Sequence, residues 1–173
     1  MRTTFELTGQ RAKLISFNPR AELHGDESQP AGDLKISFRA ASDCLAMFGS
    51  QLRDSLFWTD PGTTALTQAE LDGLEVDRKN LRNPQMVPPF KLDHEIVGGL
   101  VTIDYGIKDK IDLAGSVNKF AVTPLEGGSV EITFRVQAEI ESDDAGRLCM
   151  LIGREITVDV EGPQAEPELG DED

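Results

Sequence analysis

The sequence predicts a mainly β, α+β domain: an antiparallel sheet or partly open barrel of about six to eight strands with two short helices. Three observations carry this. Val130, Ile132, Phe134, Val136, Ala138 and Ile140 alternate with Glu131, Thr133, Arg135, Gln137 and Glu139, the period-two pattern of a half-buried strand. Phe120 and Val122 begin the same alternation ahead of a turn at Pro124–Gly128, so the two segments form a β-hairpin. Leu34, Ile36, Phe38 and Ala40 alternate with Lys35, Ser37 and Arg39 to give a second clear strand. Hairpins dominate and crossover helices are too few for a parallel α/β sheet.

The other elements follow in order. Thr3–Leu7 reads as a short strand and Ala12–Phe17 as a stronger one, ending at the turn signal Asn18–Pro19. Arg20–Gly32 is polar and bears glycine and proline, so it reads as an exposed loop. Ser42 or Asp43 offers a side-chain oxygen to cap a helix carrying Leu45, Phe48, Leu52 and Leu56, with a break at Gly49. Asp60–Pro61–Gly62 is a turn, and Thr63–Pro89 has no dominant pattern beyond a helical turn beginning at Thr67–Glu70. Phe90, Leu92 and Ile96 suggest a strand, Gly98–Gly99 a turn, and Leu100–Tyr105 another strand. A charged turn at Lys108–Lys110 leads to Ile111–Val117 and the long hairpin. Ser142, Asp143 or Asp144 caps a second helix with Leu148, Leu151 and Ile152, ended by Gly153, and Ile156, Val158 and Val160 make the last strand. Residues 1–160 read as a single globular domain and 161–173 as a flexible acidic tail.

Two stretches echo one another. KLISFNP, DLKISFRA and SD precede the first helix; KFAVTP, SVEITFRV and SD precede the second. Each is strand, turn, strand ending in Phe-Arg, and helix, which suggests two ββα units sharing one core.

Composition narrows the chemistry. The chain has 31 acidic and 17 basic residues, a net charge of −14. A field of that sign opposes general binding to polyanions, leaves room for a local basic groove, and attracts basic partners. No apolar run approaches the roughly 20 residues that span a bilayer, and two cysteines, Cys44 and Cys149, read as reduced thiols. The expected location is the cytoplasm. No catalytic or cofactor motif is present: there is no G-x-S-x-G elbow, P-loop or dinucleotide fingerprint. His94, between Asp93 and Glu95, reads as the solvated end of a strand. His24 lies among Glu22, Asp26 and Glu27 without the ligand spacing of an EF-hand. The expectation is therefore no enzyme, no cofactor and no metal.

Two surfaces are candidates for binding. Asp26, Glu27, Glu131, Glu139, Asp143 and Asp144 supply carboxylates off the apolar faces, able to meet a protein with a basic surface. Arg11, Lys13, Arg20, Lys35 and Arg39 gather early in the chain, and with Phe17 and Trp58 for stacking they would face single-stranded nucleic acid. The segments RAKLISFNPRAELHGDE, PAGDLKISF, EGGSVEITFRV and GRLCMLIGREITV resemble small proteins of tailed phages and prophages encoded among early or recombination-associated genes. The resemblance spans most of residues 10–160 and rests on strand and turn signatures, so it transfers no catalytic residue and implies a phage accessory role in the host cytoplasm. Three functions follow as expectations. The first is an acidic-surface protein that binds a basic, DNA-binding host partner, mimicking DNA against a nuclease or defence complex. The second is a single-stranded-DNA-binding or recombination accessory protein regulated by its acidic tail. The third is an oligomerising virion component.

Overall fold

The structure, a computed structural model, describes residues 5–59 and 80–163. Among the described residues nine strands form: β1 (Leu7–His24), β2 (Glu27–Ala41), β3 (Phe57–Trp58), β4 (Asn80–Leu81), β5 (Phe90–Leu92), β6 (Ile96–Asp104), β7 (Ile111–Pro124), β8 (Ser129–Glu139) and β9 (Glu155–Glu161). Also among the described residues are a 3-10 helix, Ser42–Met47, and the α-helices α1 (Leu52–Leu56) and α2 (Ser142–Leu151).

Six strands close into an antiparallel barrel. Around it the order is β1, β2, β8, β7, β6, β9 and back to β1. β5 is an extra strand on β7, pairing Phe90–Leu92 with Phe120–Val122 beyond the point where β6 has ended. β3 and β4 make a separate two-stranded ribbon. The mainly β expectation therefore holds, and the barrel is closed rather than partly open.

The alternation read from the sequence is the inside–outside alternation of the wall. Val130, Ile132, Phe134, Val136, Ala138 and Ile140 are buried, as are Leu34, Ile36 and Phe38. At one end Phe5 meets Phe120, Phe48, Phe134 and Phe38, with ring centroids 4.8, 5.3, 5.7 and 6.3 Å away. Edge-to-face and offset contacts at these distances are the preferred aromatic geometry.

Small residues let the wall bend. Gly99 pairs with Gly115, Gly115 with Ala138, and Ala138 with Gly32, so a row of minimal side chains crosses four strands. Phe17 and Ile140 pack over Gly32, where an added Cβ would lie 2.5 Å from the Phe17 ring. Curvature of this kind is what closes a sheet on itself.

Several local expectations are corrected. Arg20–Gly32 is not a loop: β1 runs on to His24, Gly25 (φ 68) and Asp26 turn the chain, and β2 starts at Glu27. Gly25 at the first turn position, with positive φ, is the type II′ arrangement that suits the twist of a hairpin. Beyond the pair of Ala31 with Glu139, β8 has ended, so residues 21–30 project as a two-stranded arm. Both faces of the arm are wet, Leu23 included, so no apolar alternation marked it. Gly98–Gly99 does not turn the chain but lies in a bulge within β6, with Gly98 at φ 71. The first helix is divided into the 3-10 turn and α1 at Gly49. Ser42, Asp43, Ser142, Asp143 and Asp144 are not N-caps: Ala41 and Glu141 occupy those positions and make no side-chain cap bond. Ser42 Oγ instead accepts from Arg53 Nε at 2.9 Å. Glu161, expected to open the tail, is the last residue of β9 and pairs with Leu100. The turn at Asp60, the helical turn at Thr67–Glu70, residues Thr3 and Thr4 and the tail from position 164 lie outside the described residues.

The internal echo has a counterpart in the register. Aligning KISFR with EITFR equates Ser37 with Thr133, and these two residues pair directly across β2 and β8. Ile36 then faces Phe134 and Phe38 faces Ile132, each the other's equivalent. The two hairpins are thus related by a local two-fold through the Ser37–Thr133 pair.

Candidate anion-binding groove

The outer face of β1, β2, β8 and β7 carries the site. Outward residues of β2 are Asp33, Lys35, Ser37 and Arg39; those of β8 are Glu131, Thr133, Arg135 and Gln137. The two-fold pairs Arg39 with Glu131 and, symmetrically, Lys35 with Arg135. Arg39 Nε donates to Glu131 Oε2 at 3.1 Å, an ordinary surface ion pair. Its mate is different, because position 35 is lysine where its equivalent is Glu131. Two cations therefore face one another, an arrangement that destabilises a sheet unless something neutralises it.

A groove of about 750 Å³ runs past this pair, lined by Lys35, Lys91, Lys119 and Arg135 together with Ser16, Asn18, Asn118 and Thr133. Residues 89–95, which carry β5, wall one side. Arg135 is held in place: its Nε donates to Asn118 Oδ1 at 3.0 Å and its Nη2 to Gln137 Oε1 at 3.1 Å. Neutral acceptors fix the guanidinium without cancelling its charge. Lys119 is the one non-glycine with positive φ (52) among the described residues, at the bulge between Asn118 and Ala121. Lysine in the left-handed region costs about 1–2 kcal/mol, and such strain concentrates at functional positions. Asp33, Asp93 and Glu95 also line the groove; Arg20 holds Asp33 at 3.3 Å and Asn118 donates to Glu95 at 3.5 Å. Among the described residues, Lys35, Lys91, Lys119 and Arg135 make no ion pair.

Of the cations singled out from the sequence, Lys13, opposite Ser37, and Lys35 share this outer face. Arg11 pairs with Glu155 (3.3 Å), Arg20 with Glu22 and Asp33, and Arg39 with Glu131. Lys91, Lys119 and Arg135 were missed, because only the pairing of β2 with β8, β8 with β7 and β7 with β5 brings them beside Lys35. The aromatic expectation is corrected: Phe17 is buried and neither it nor Trp58 lines the groove. His94 is not a solvated strand end either. Its ring packs edge-on against Phe48 and Phe120, at 5.5 and 5.3 Å, and its Nε2 is buried without a partner.

Of the six candidate acids, Glu139 stands 2.9 Å from His24 of the arm that carries Asp26 and Glu27, and three residues before the start of α2 with Asp143 and Asp144, while Glu131 lies further along β8. Glu131 and Glu139 are eight residues apart on β8, about 26 Å at about 3.3 Å per residue. Asp26 and Glu27 sit at the tip of the arm, and Asp143 and Asp144 start α2, where Asp144 accepts from Arg147 at 3.5 Å.

Cys44 offers no nucleophile at neutral pH. Burial pushes the Cys44 thiol up to about 12, with Asp43 adding to the effect, so it stays protonated at neutral pH. Cys149 is exposed and both thiols are free. Maleimide at neutral pH is expected to modify Cys149 fully while Cys44 remains unlabelled until the chain is denatured; peptide mass spectrometry reads this. Rapid double labelling of the native protein would contradict the burial of Cys44.

No helix among the described residues is long and apolar enough to cross a membrane. Compared with known proteins, the chain matches no family model, no curated protein and no solved structure.

Proposed function

We propose that this is a non-enzymatic binding protein that holds single-stranded nucleic acid along the outer face of β1, β2, β8 and β7, with phosphates over Lys35, Arg135, Lys119 and Lys91. The observation that carries this reading is the Lys35–Arg135 pair, two facing cations with no carboxylate between them. A phosphate oxygen in that position supplies the missing negative charge through charge-assisted hydrogen bonds. Ser16, Asn18, Asn118 and Thr133 add neutral groups of the kind that contact a backbone without reading sequence.

The rest of the surface selects the form of the ligand. A duplex is wide, and laying it over one narrow strip would press its outer phosphates against a protein of net charge −14. A single strand fits within the groove. No aromatic face is exposed there, since Phe120 and Phe134 are fully buried, so the hold is electrostatic and base preference is weak.

The test is fluorescence anisotropy of a labelled oligothymidine with the full chain, across a salt series. Four phosphate contacts predict a slope of about −3 in log affinity against log salt. Lys35→Glu places a carboxylate opposite Arg135, as Glu131 lies opposite Arg39, so the fold is expected to persist while affinity falls about tenfold or more. A chain ending at Pro163, which leaves β9 whole, is expected to bind more tightly, because the acidic residues that follow no longer compete for the cations. If neither chain binds at low salt, or Lys35→Glu changes nothing, this reading fails. Absent binding by both would favour the acidic-surface reading, which rests on the overall charge and on a partner presenting a basic patch.

A further inference from the structure

We propose that Glu22, His24 and Glu139 form a divalent-cation site, of the class that takes zinc, which clamps the projecting β1–β2 arm to the end of β8. The sequence spacing hides it, because Glu139 lies 115 positions from His24 and belongs to another strand. Glu22 and His24 are two apart on β1 and so share a face of the arm. One donor atom from each of the three residues lies within 4.8 Å of the others.

The detail of the cluster points to an ion rather than to a plain ion pair. His24 Nε2 lies 2.9 Å from Glu139 Oε1, a hydrogen-bond distance that a small side-chain shift opens to the about 3.4 Å between tetrahedral donors each about 2.1 Å from one metal. Glu22 Oε2 lies 3.7 Å from the same nitrogen, too far for a hydrogen bond, while the other oxygen of that carboxylate is engaged by Arg20. Arg20 in turn holds Asp33 at 3.3 Å. The carboxylate of Glu22 is thus oriented from behind, with one oxygen aimed at the ring nitrogen, as outer-shell partners orient metal ligands. Two carboxylates converging on one imidazole nitrogen repel each other, and a single N–H can satisfy only one of them. A cation between the three relieves both problems. One imidazole with two carboxylates suits zinc better than calcium or magnesium, which prefer all-oxygen sets. The partial exposure of all three residues leaves room for water at the fourth position.

The experiment uses the full chain freed of metal with a chelator and titrated with zinc chloride against a chromophoric zinc indicator. One zinc per chain is expected at a site that His24→Ala and Glu139→Gln each weaken by about tenfold or more, since even outer-shell losses cost about that much. Cys149→Ser is expected to bind as the parent does, which excludes the exposed thiol as the ligand. Zinc is also expected to slow amide exchange across residues 21–30 in the parent and not in His24→Ala. Circular dichroism confirms that the variants fold. Equal zinc affinity in the parent and both variants, no zinc uptake by the parent, or exchange in the arm indifferent to zinc would each overturn the proposal.

Discussion

Replacing Gly115 by alanine is expected to break the seam between β7 and β8. A Cβ at that position would stand 2.0 Å from the Gln137 carbonyl oxygen and 3.0 Å from Ala138 Cα. Both are backbone atoms of the paired strand, so no side chain can swing aside. Relief requires the two strands to separate, and Gly115 is paired on its other side with Gly99. Overpacking that side chains can absorb costs about 1–3 kcal/mol; a clash with fixed backbone belongs at or above the top of that range. Urea unfolding followed by circular dichroism measures the loss, and the expected result is a midpoint shift equivalent to about 3 kcal/mol or more. A variant as stable as the parent would mean that the small-residue row is not where the wall is tightest.

The second large effect is expected at Phe5. This ring is fully buried and touches Phe38, Phe48, Phe120 and Phe134, so it joins the start of the chain to β2, β7, β8 and the segment after the 3-10 helix. Phe5→Ala removes the ring and leaves a cavity among aromatic faces that cannot collapse into it. Substitutions of this kind cost about 3–5 kcal/mol, a large share of the roughly 5–15 kcal/mol by which a domain is stable. Phe5→Leu retains most of the apolar volume and should lose distinctly less. Similar stabilities for the two variants would show that the aromatic contacts, rather than volume filling, decide the energetics.

What could be read from the sequence was whatever one buried face imposes. The alternation in β8 and β2 identified the strands and their inward residues, because a period-two pattern has one physical reading when one side of a sheet is dry. The arm escaped for the converse reason. Glu22, His24, Asp26, Glu27 and Gln29 line a ribbon wet on both faces, and polarity without alternation looks like a loop. Gly99 and Gly32 were ambiguous in another way, since glycine marks both turns and close strand approach, and only the partner strand distinguishes them. The caps were read from residue type alone, and the helices begin one residue earlier than the serines implied.

The candidate groove was half legible. Lys13 and Lys35 were singled out, but Lys91, Lys119 and Arg135 lie between 56 and 100 positions beyond Lys35 and reach it only through the pairing of β2, β8, β7 and β5. A signal was nonetheless present: the echo aligns Lys35 with Glu131 and Arg39 with Arg135. Strands paired about Ser37 and Thr133 must then join one opposite-charge pair and one like-charge pair.

The position of β9 governs how the molecule can assemble. It is the last of the described strands, yet it lies between β1 and β6, so the two seams that complete the ring pair Leu7–Lys13 and Leu100–Asp104 with residues 155–161. On a ribosome, the outer edges of β1 and β6 stay open until nearly the whole domain has emerged. A sheet with two open edges invites pairing with other chains, and contacts spanning this much sequence form slowly. Ring closure is therefore a late and non-local event in the life of the chain, and a product interrupted before residue 155 would carry both edges into the cell unprotected.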